Sequence, residues 1–258
     1  STPYSQTMSR LELFSPEGVR VDGRRFDEIR SFECSLNTHP HSSDGSAYCS
    51  QGNTKVICLV RGPSDTMTSA SNSANSAGSA NNNEPTISVS IIQPPYAKFE
   101  RKAISKTDRR LNEISIIIKR ALQQTIVKKN YARTFIEISI TVLQLDGGLL
   151  PACINAATLA LIDAGIAMYD YITAVNVALY DSYPLLDTNS LEESDLSFLT
   201  IGIVGDQDKI NLLLMEDKIP LDKLQRLIDL GIKGCHSIRN IMDENVRKIG
   251  ADLVSKNQ

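Results

Sequence analysis

The chain has 258 residues, 41% of them hydrophobic, with 27 basic and 30 acidic side chains and a formal net charge of -3. That length and apolar content suit one large core or two smaller lobes and exclude a disordered scaffold, while the charge excludes a generally basic nucleic-acid binder. Any nucleic-acid contact has to come from a local basic cluster.

Cys34, Cys49, Cys58, Cys153 and Cys235 are scattered and odd in number, a pattern that predicts free thiols in a reducing compartment. No apolar run reaches membrane-spanning length, so a soluble protein without membrane contact is expected. Residues 1–7 precede Met8 and are left out of the fold argument. The N-terminus lacks a charged start followed by an apolar stretch, so a secretory signal is not expected.

In chain order, residues 18–29 form a polar turn of alternating charge, and residues 32–36 fit a short strand. Residues 46–48 and 55–60 read as a hairpin around Gln51, Gly52 and Asn53, because Gly and Asn accept a positive φ cheaply. Residues 64–84 are a Ser/Asn/Ala tract too poor in apolar groups to offset their ordering entropy, predicted to be a disordered loop inserted between two strands. A strand follows at 86–92 and stops at Pro94-Pro95.

Asp108 is placed to cap a helix running to about Lys128, with Leu111, Ile114, Ile118, Ala121, Leu122 and Thr125 on one face. Residues 135–143 alternate as a strand, and 154–164 form a helix apolar nearly all round, hence deeply buried. Strands at 174–180, 198–204 and 210–216 precede a closing amphipathic helix over 221–249. The organisation predicted is an extension at 1–10, an N-terminal lobe at 11–148 carrying the 64–84 loop, and a C-terminal lobe at 149–250. Each lobe is a sheet backed by helices, an α+β fold.

Two segments have the residue types for chemistry. Around residues 141–166 a strand, the turn Asp146-Gly147-Gly148 and a helix present backbone N–H groups as an anion site does. Leu149 and Leu150 then supply no charge-assisted bond to an anion. The plain alternative is a buried strand-turn-helix joint whose leucines pack the core. Lys98, Arg101, Lys102, Lys106, Arg109 and Arg110 form a basic run interleaved with Tyr96 and Phe99, suited either to a solvated loop or to single-stranded RNA. Arg109 and Arg110 stand at the positive end of a helix, where the macrodipole disfavours them by a few tenths of a kcal/mol each. Arg61, after a strand, is a weaker candidate. Asp22, Arg24 and Arg25 read as a salt-bridged corner or an intersubunit contact. His39, His41 and Cys49 lack metal-site spacing, so no metal is expected.

Six segments in order, SPEGVRVDGR (15–24), NTHPHSSDGSAY (37–48), QGNTKVICLVRGP (51–63), LQLDGG (143–148), ALIDAGI (160–166) and LLDTNSLEE (185–193), resemble the RNase PH family over residues 11–249. The likeness is to its fungal exosome ring subunits. It implies a two-lobed RNase PH-like fold (ribosomal protein S5 domain 2-like) and a place in a hexameric ring.

Active members degrade RNA from the 3' end by phosphate attack. They carry Ser or Thr then Arg after the D-x-G turn, where this chain has Leu149 and Leu150, and two aspartates six residues apart, where it has Glu193 and Leu199. On that basis the resemblance implies a non-catalytic subunit without cofactor, one that assembles the barrel and guides single-stranded RNA through a central channel. The alternative is a phosphate-dependent 3'-5' exoribonuclease completed by a partner. Arg109 and Arg110, with Lys106 and Arg61, are the implied RNA contacts. The implied partners are other RNase PH-like exosome subunits, an S1/KH-type cap subunit and an exosome-associated nuclease, and the implied locations are nucleus, nucleolus and cytoplasm.

Overall fold

A computed structural model describes residues 19–64, 85–98, 101, 108–181 and 183–256. The predicted extension, nearly all of the 64–84 loop, Phe99, Lys102 and Lys106 lie outside the described residues.

The predicted α+β architecture is present as two sheets with helices. The first sheet contains β1 (Phe32–Leu36), β2 (Gly45–Gln51), β3 (Thr54–Ser64), β4 (Thr86–Ile92) and β5 (Phe135–Gln144), in the order β1-β2-β3-β5-β4. The hairpin turns at Gly52-Asn53, where Gly52 has φ 58°. Strand β4 runs parallel to β5 and every other pairing in this sheet is antiparallel.

Helix α1 (Arg109–Thr125) lies between β4 and β5 in the chain and packs on β4. Its N-cap is Asp108, whose carboxylate accepts the Arg110 N–H at 2.9 Å. Leu111, Ile118, Ala121, Leu122 and Thr125 are buried as their spacing predicts. The helix ends at Thr125, short of Lys128, because Ile126 turns to extended backbone and bridges Met168.

Helix α2 (Leu149–Asp163) begins five residues before the predicted start, since Gly148, at φ 66°, is the N-cap. Every residue from Leu150 to Leu161 is buried. Such a helix needs apolar contact on all sides, and α2 finds it between β2 and β3 of the first sheet and β6 of the second. At Gly45 a Cβ would lie 2.4 Å from Ala160 O, so this glycine lets β2 approach the helix backbone.

The second sheet is wholly antiparallel, in the order β7-β6-β8-β9: β6 (Ile172–Tyr180), β7 (Tyr183–Leu186), β8 (Ser197–Val204) and β9 (Ile210–Met215). Strand β7 and the short α3 (Ser190–Asp195) are not in the sequence-predicted set. Helix α4 (Leu221–Lys256) runs beyond the predicted 249 and packs on β6 and β8, reaching β1. One continuous core joins both sheets, and the five cysteines are free thiols. Among the described residues no helix is long and apolar enough to cross a membrane.

Candidate active site and nucleic-acid interface

The turn between β5 and α2 is held by groups from four parts of the chain. Gly147 (φ 76°) packs so tightly on the backbone of residues 188–190 that a Cβ would lie 2.5 Å from the Asn189 carbonyl carbon. Asp146 accepts from Ser190 Oγ at 2.7 Å and Asn53 Nδ2 at 3.1 Å, while Thr54 Oγ1 donates to Gly147 O at 2.6 Å. Burial alone would raise the proton affinity of Asp146. The bonds from Ser190 and Asn53, with the charge of Arg30, outweigh it and hold this carboxyl below its ordinary value.

Glu193, on α3, lies at the amino end of α2. Its Oε1 accepts Gly148 N–H at 2.7 Å, Asn176 Nδ2 at 2.6 Å and Thr188 Oγ1 at 3.2 Å. Burial raises its proton affinity, and these three donors and the Arg30 charge oppose the rise without cancelling it. The first turn of α2 has few N–H groups to spare, because its third residue is Pro151.

Beneath the turn, Arg30 donates through Nη1 to Asp146 O at 2.6 Å and through Nη2 to Asp187 Oδ1 at 2.8 Å. Its guanidinium also lies against Gly148. Asp187, wholly buried, accepts further from Arg30 N–H and Gln51 Nε2. Next to it, buried Arg20 holds Glu192 and the carbonyls of Leu186 and Asp187. Arg24 bridges Asp22 and Asp187 O, which makes the DGR corner salt-bridged as its sequence suggests.

The four positions that the resemblance singled out therefore separate. Leu149, Leu150 and Glu193 meet at the start of α2, with Leu149 half-buried against the core and Leu150 6% exposed. Leu199 does not join them. It is fully buried in β8 opposite Val177 and Met215, on the face that also carries Ile201, which packs on Gly231 of α4. Strand alternation turns its neighbour Thr200 toward the site instead, where Oγ1 donates to Asn176 Oδ1 at 2.7 Å.

Sequence reasoning missed Arg30, Asn176 and Asp187 as site groups. One signal was available: Asn189 followed three residues later by Glu192 is a capping box, and both of its bonds are made. It fixes the start of α3 and so aims Glu193.

Of the basic candidates, Arg109 and Arg110 are both exposed at the first turn of α1, which contains no acidic residue. Arg109 donates to Glu113 at 2.9 Å, an exposed i,i+4 pair of small energetic weight. Lys98 and Arg101 are exposed, Arg61 is exposed on β3 opposite Glu137, and Lys106 lies outside the described residues. His39 bonds Thr38, and among the described residues no group of three His, Cys, Asp or Glu is arranged to hold a metal ion.

Two models described as the 3' exoribonuclease family match this chain, domain 1 over residues 28–167 and domain 2 over residues 170–234. The chain belongs to the RNase PH family. Among its relatives, Exosome complex component SKI6 of Saccharomyces cerevisiae is 48% identical, covering 96% of this chain and 98% of that protein. Exosome complex component RRP41 of Homo sapiens is 31% identical, covering 93% and 96%. The crystal structure of rice (Oryza sativa) Rrp46 superposes with a TM-score of 0.76 at 25% identity, over 88% of this chain and all of that one. An Archaeoglobus fulgidus exosome with RNA bound to its active site shares the fold, with a TM-score of 0.69 at 22% identity over 87% and 92%.

These findings correct one expectation, that the chain is not an enzyme. The models that describe it are those of a 3' exoribonuclease family, and they span both the turn at 146–148 and the acidic segment at 187–193. Leu149 and Leu150 are apolar. The carboxyl of Glu193, the amide of Gly148 and the guanidinium of Arg30 remain together.

Proposed function

We propose that this RNase PH-family chain is a ring subunit of the RNA exosome that holds and guides single-stranded RNA during 3'-5' processing and decay. Its partners in this reading are other RNase PH-like subunits, a cap subunit with S1 or KH modules and an associated nuclease, in nucleus, nucleolus and cytoplasm. The observation that carries it is the guanidinium pair Arg109 and Arg110, exposed at the amino end of α1, where the helix dipole gives no reason for two cations. The test is RNA binding by the assembled complex across a salt series. Replacing both with Glu should weaken binding and reduce the salt slope by about 1.4, at about 0.7 for each lost phosphate contact on a single strand. Unchanged binding and slope would refute it.

A second reading is favoured by Glu193 itself: phosphate-dependent shortening of RNA, with the site completed by a partner subunit. A buried carboxyl of raised proton affinity can donate a proton to the 3' oxygen that leaves as phosphate attacks the terminal linkage. The shortened RNA keeps that hydroxyl, and the last nucleotide leaves as a nucleoside diphosphate. Phosphate-dependent release of nucleoside diphosphates by the subunit with its ring partners, lost in Glu193→Gln, supports this reading, and no release refutes it alone.

A further inference from the structure

Beyond the tip of α1, the surface has a second cationic feature. An open groove of about 700 Å³ at the carboxyl end of the helix is lined by Arg120, Gln123, Gln124, Lys128, Lys129 and Tyr169, none of them acidic. Tyr169 is 68% exposed. The segment bearing it is fixed: Tyr169 N–H donates to Thr125 O at 2.8 Å, Val127 N–H to Ala167 O at 3.0 Å, and Ala167 N–H to the Tyr131 hydroxyl at 2.7 Å. The backbone that carries the ring is therefore set beside the cations.

Arg120 is three turns from Arg109 on one face of α1, about 16 Å along the axis. Cations near a helix carboxyl end would satisfy the dipole alone, but that role gives no reason for an aromatic ring held out to solvent among them. An acidic peptide would use the cations and the amides but bring no flat group to the ring. A flexible polyanion with flat bases uses all three, by phosphate pairing, stacking and hydrogen bonds from Gln123 and Gln124.

We infer that this groove is a second binding site for single-stranded RNA, with one base stacked on Tyr169 and adjoining phosphates held by Arg120, Lys128 and Lys129. The inference rests on the RNA-guiding role proposed above. It is tested by fluorescence anisotropy of a labelled oligouridylate with the purified full chain across a salt series, comparing Tyr169→Ala, Arg120→Ala with Lys129→Ala, and Arg109→Glu with Arg110→Glu. Loss of one base stack should weaken binding roughly five- to 150-fold in Tyr169→Ala. Removing Arg120 and Lys129 should lower the salt slope by about 1.4.

All five substituted positions are exposed, so the fold is not at risk, and cross-linking of thiouridine-substituted RNA to peptides containing Tyr169 or residues 120–129 is an independent readout. If only the Arg109/Arg110 variant weakens binding, the groove is overturned and the RNA role stands. If the wild-type chain binds no RNA, the groove is overturned, and the guiding role is judged by the assembled complex. If a polyglutamate peptide displaces the RNA and Tyr169→Ala changes nothing, the groove takes a protein partner and the RNA assignment is overturned.

Discussion

Replacing Asp187 by Asn should cost about 3–5 kcal/mol of stability, because it removes the countercharge of a buried guanidinium. Asp187 has no exposed surface and sits at φ 54°, a left-handed conformation that Asn also tolerates, so the change isolates charge from backbone strain. Its two oxygens accept three N–H groups: Arg30 N at 2.8 Å, Arg30 Nη2 at 2.8 Å and Gln51 Nε2 at 2.9 Å. An amide offers one oxygen and one NH2, so at least one of those donors must face another donor.

Against a total of about 5–15 kcal/mol, the loss is a large fraction. With a urea dependence of about 3 kcal/mol per molar, the unfolding midpoint should fall by about 1–1.7 M. The assay is equilibrium urea unfolding followed by two probes, with Arg30→Met and the double variant closing a thermodynamic cycle. A coupling of opposite sign to the single losses is expected, since the double variant buries no lone charge. A cost below about 1 kcal/mol for Asp187→Asn, or strictly additive losses, would refute the view that this pair holds the turn.

The raised proton affinity of Glu193 gives a signed pH dependence. The folded state keeps a proton that the unfolded chain releases at its ordinary value of 4.5, so this carboxyl's stabilising contribution is complete below that pH and is lost as pH rises through the folded value. Glu193→Gln should therefore gain on the wild type between pH 4 and pH 8 in urea unfolding, and a difference independent of pH would contradict the burial argument. Gly147→Ala should destabilise by about 2–4 kcal/mol, from a positive φ and a Cβ driven into the backbone of residues 188–190. Differential scanning calorimetry reads this as a clear fall in Tm, and an unchanged Tm would mean that the segment can move aside.

Local physics was enough to read most elements from the sequence. The apolar spacing of Leu111, Ile118 and Leu122 placed α1 and its buried face, Asp108 gave its cap, and alternation gave β4, β5 and β8 within a residue or two. The six ordered segments carried the family. Each signal is a short-range pattern that depends on a helix or strand period.

The site needed contacts that no period encodes. Arg30 and Asp187 meet across 157 residues, and Glu193 reaches Gly148 across 45. Which way Leu199 faces could not be read from its place in the chain, and the pairing of β8 with β6 turned Thr200 to the site and Leu199 to the core. Residues fixed by their neighbours along the chain were legible from the sequence. Residues fixed by burial and by charges brought together from distant segments were decided only when α2 was enclosed between the two sheets.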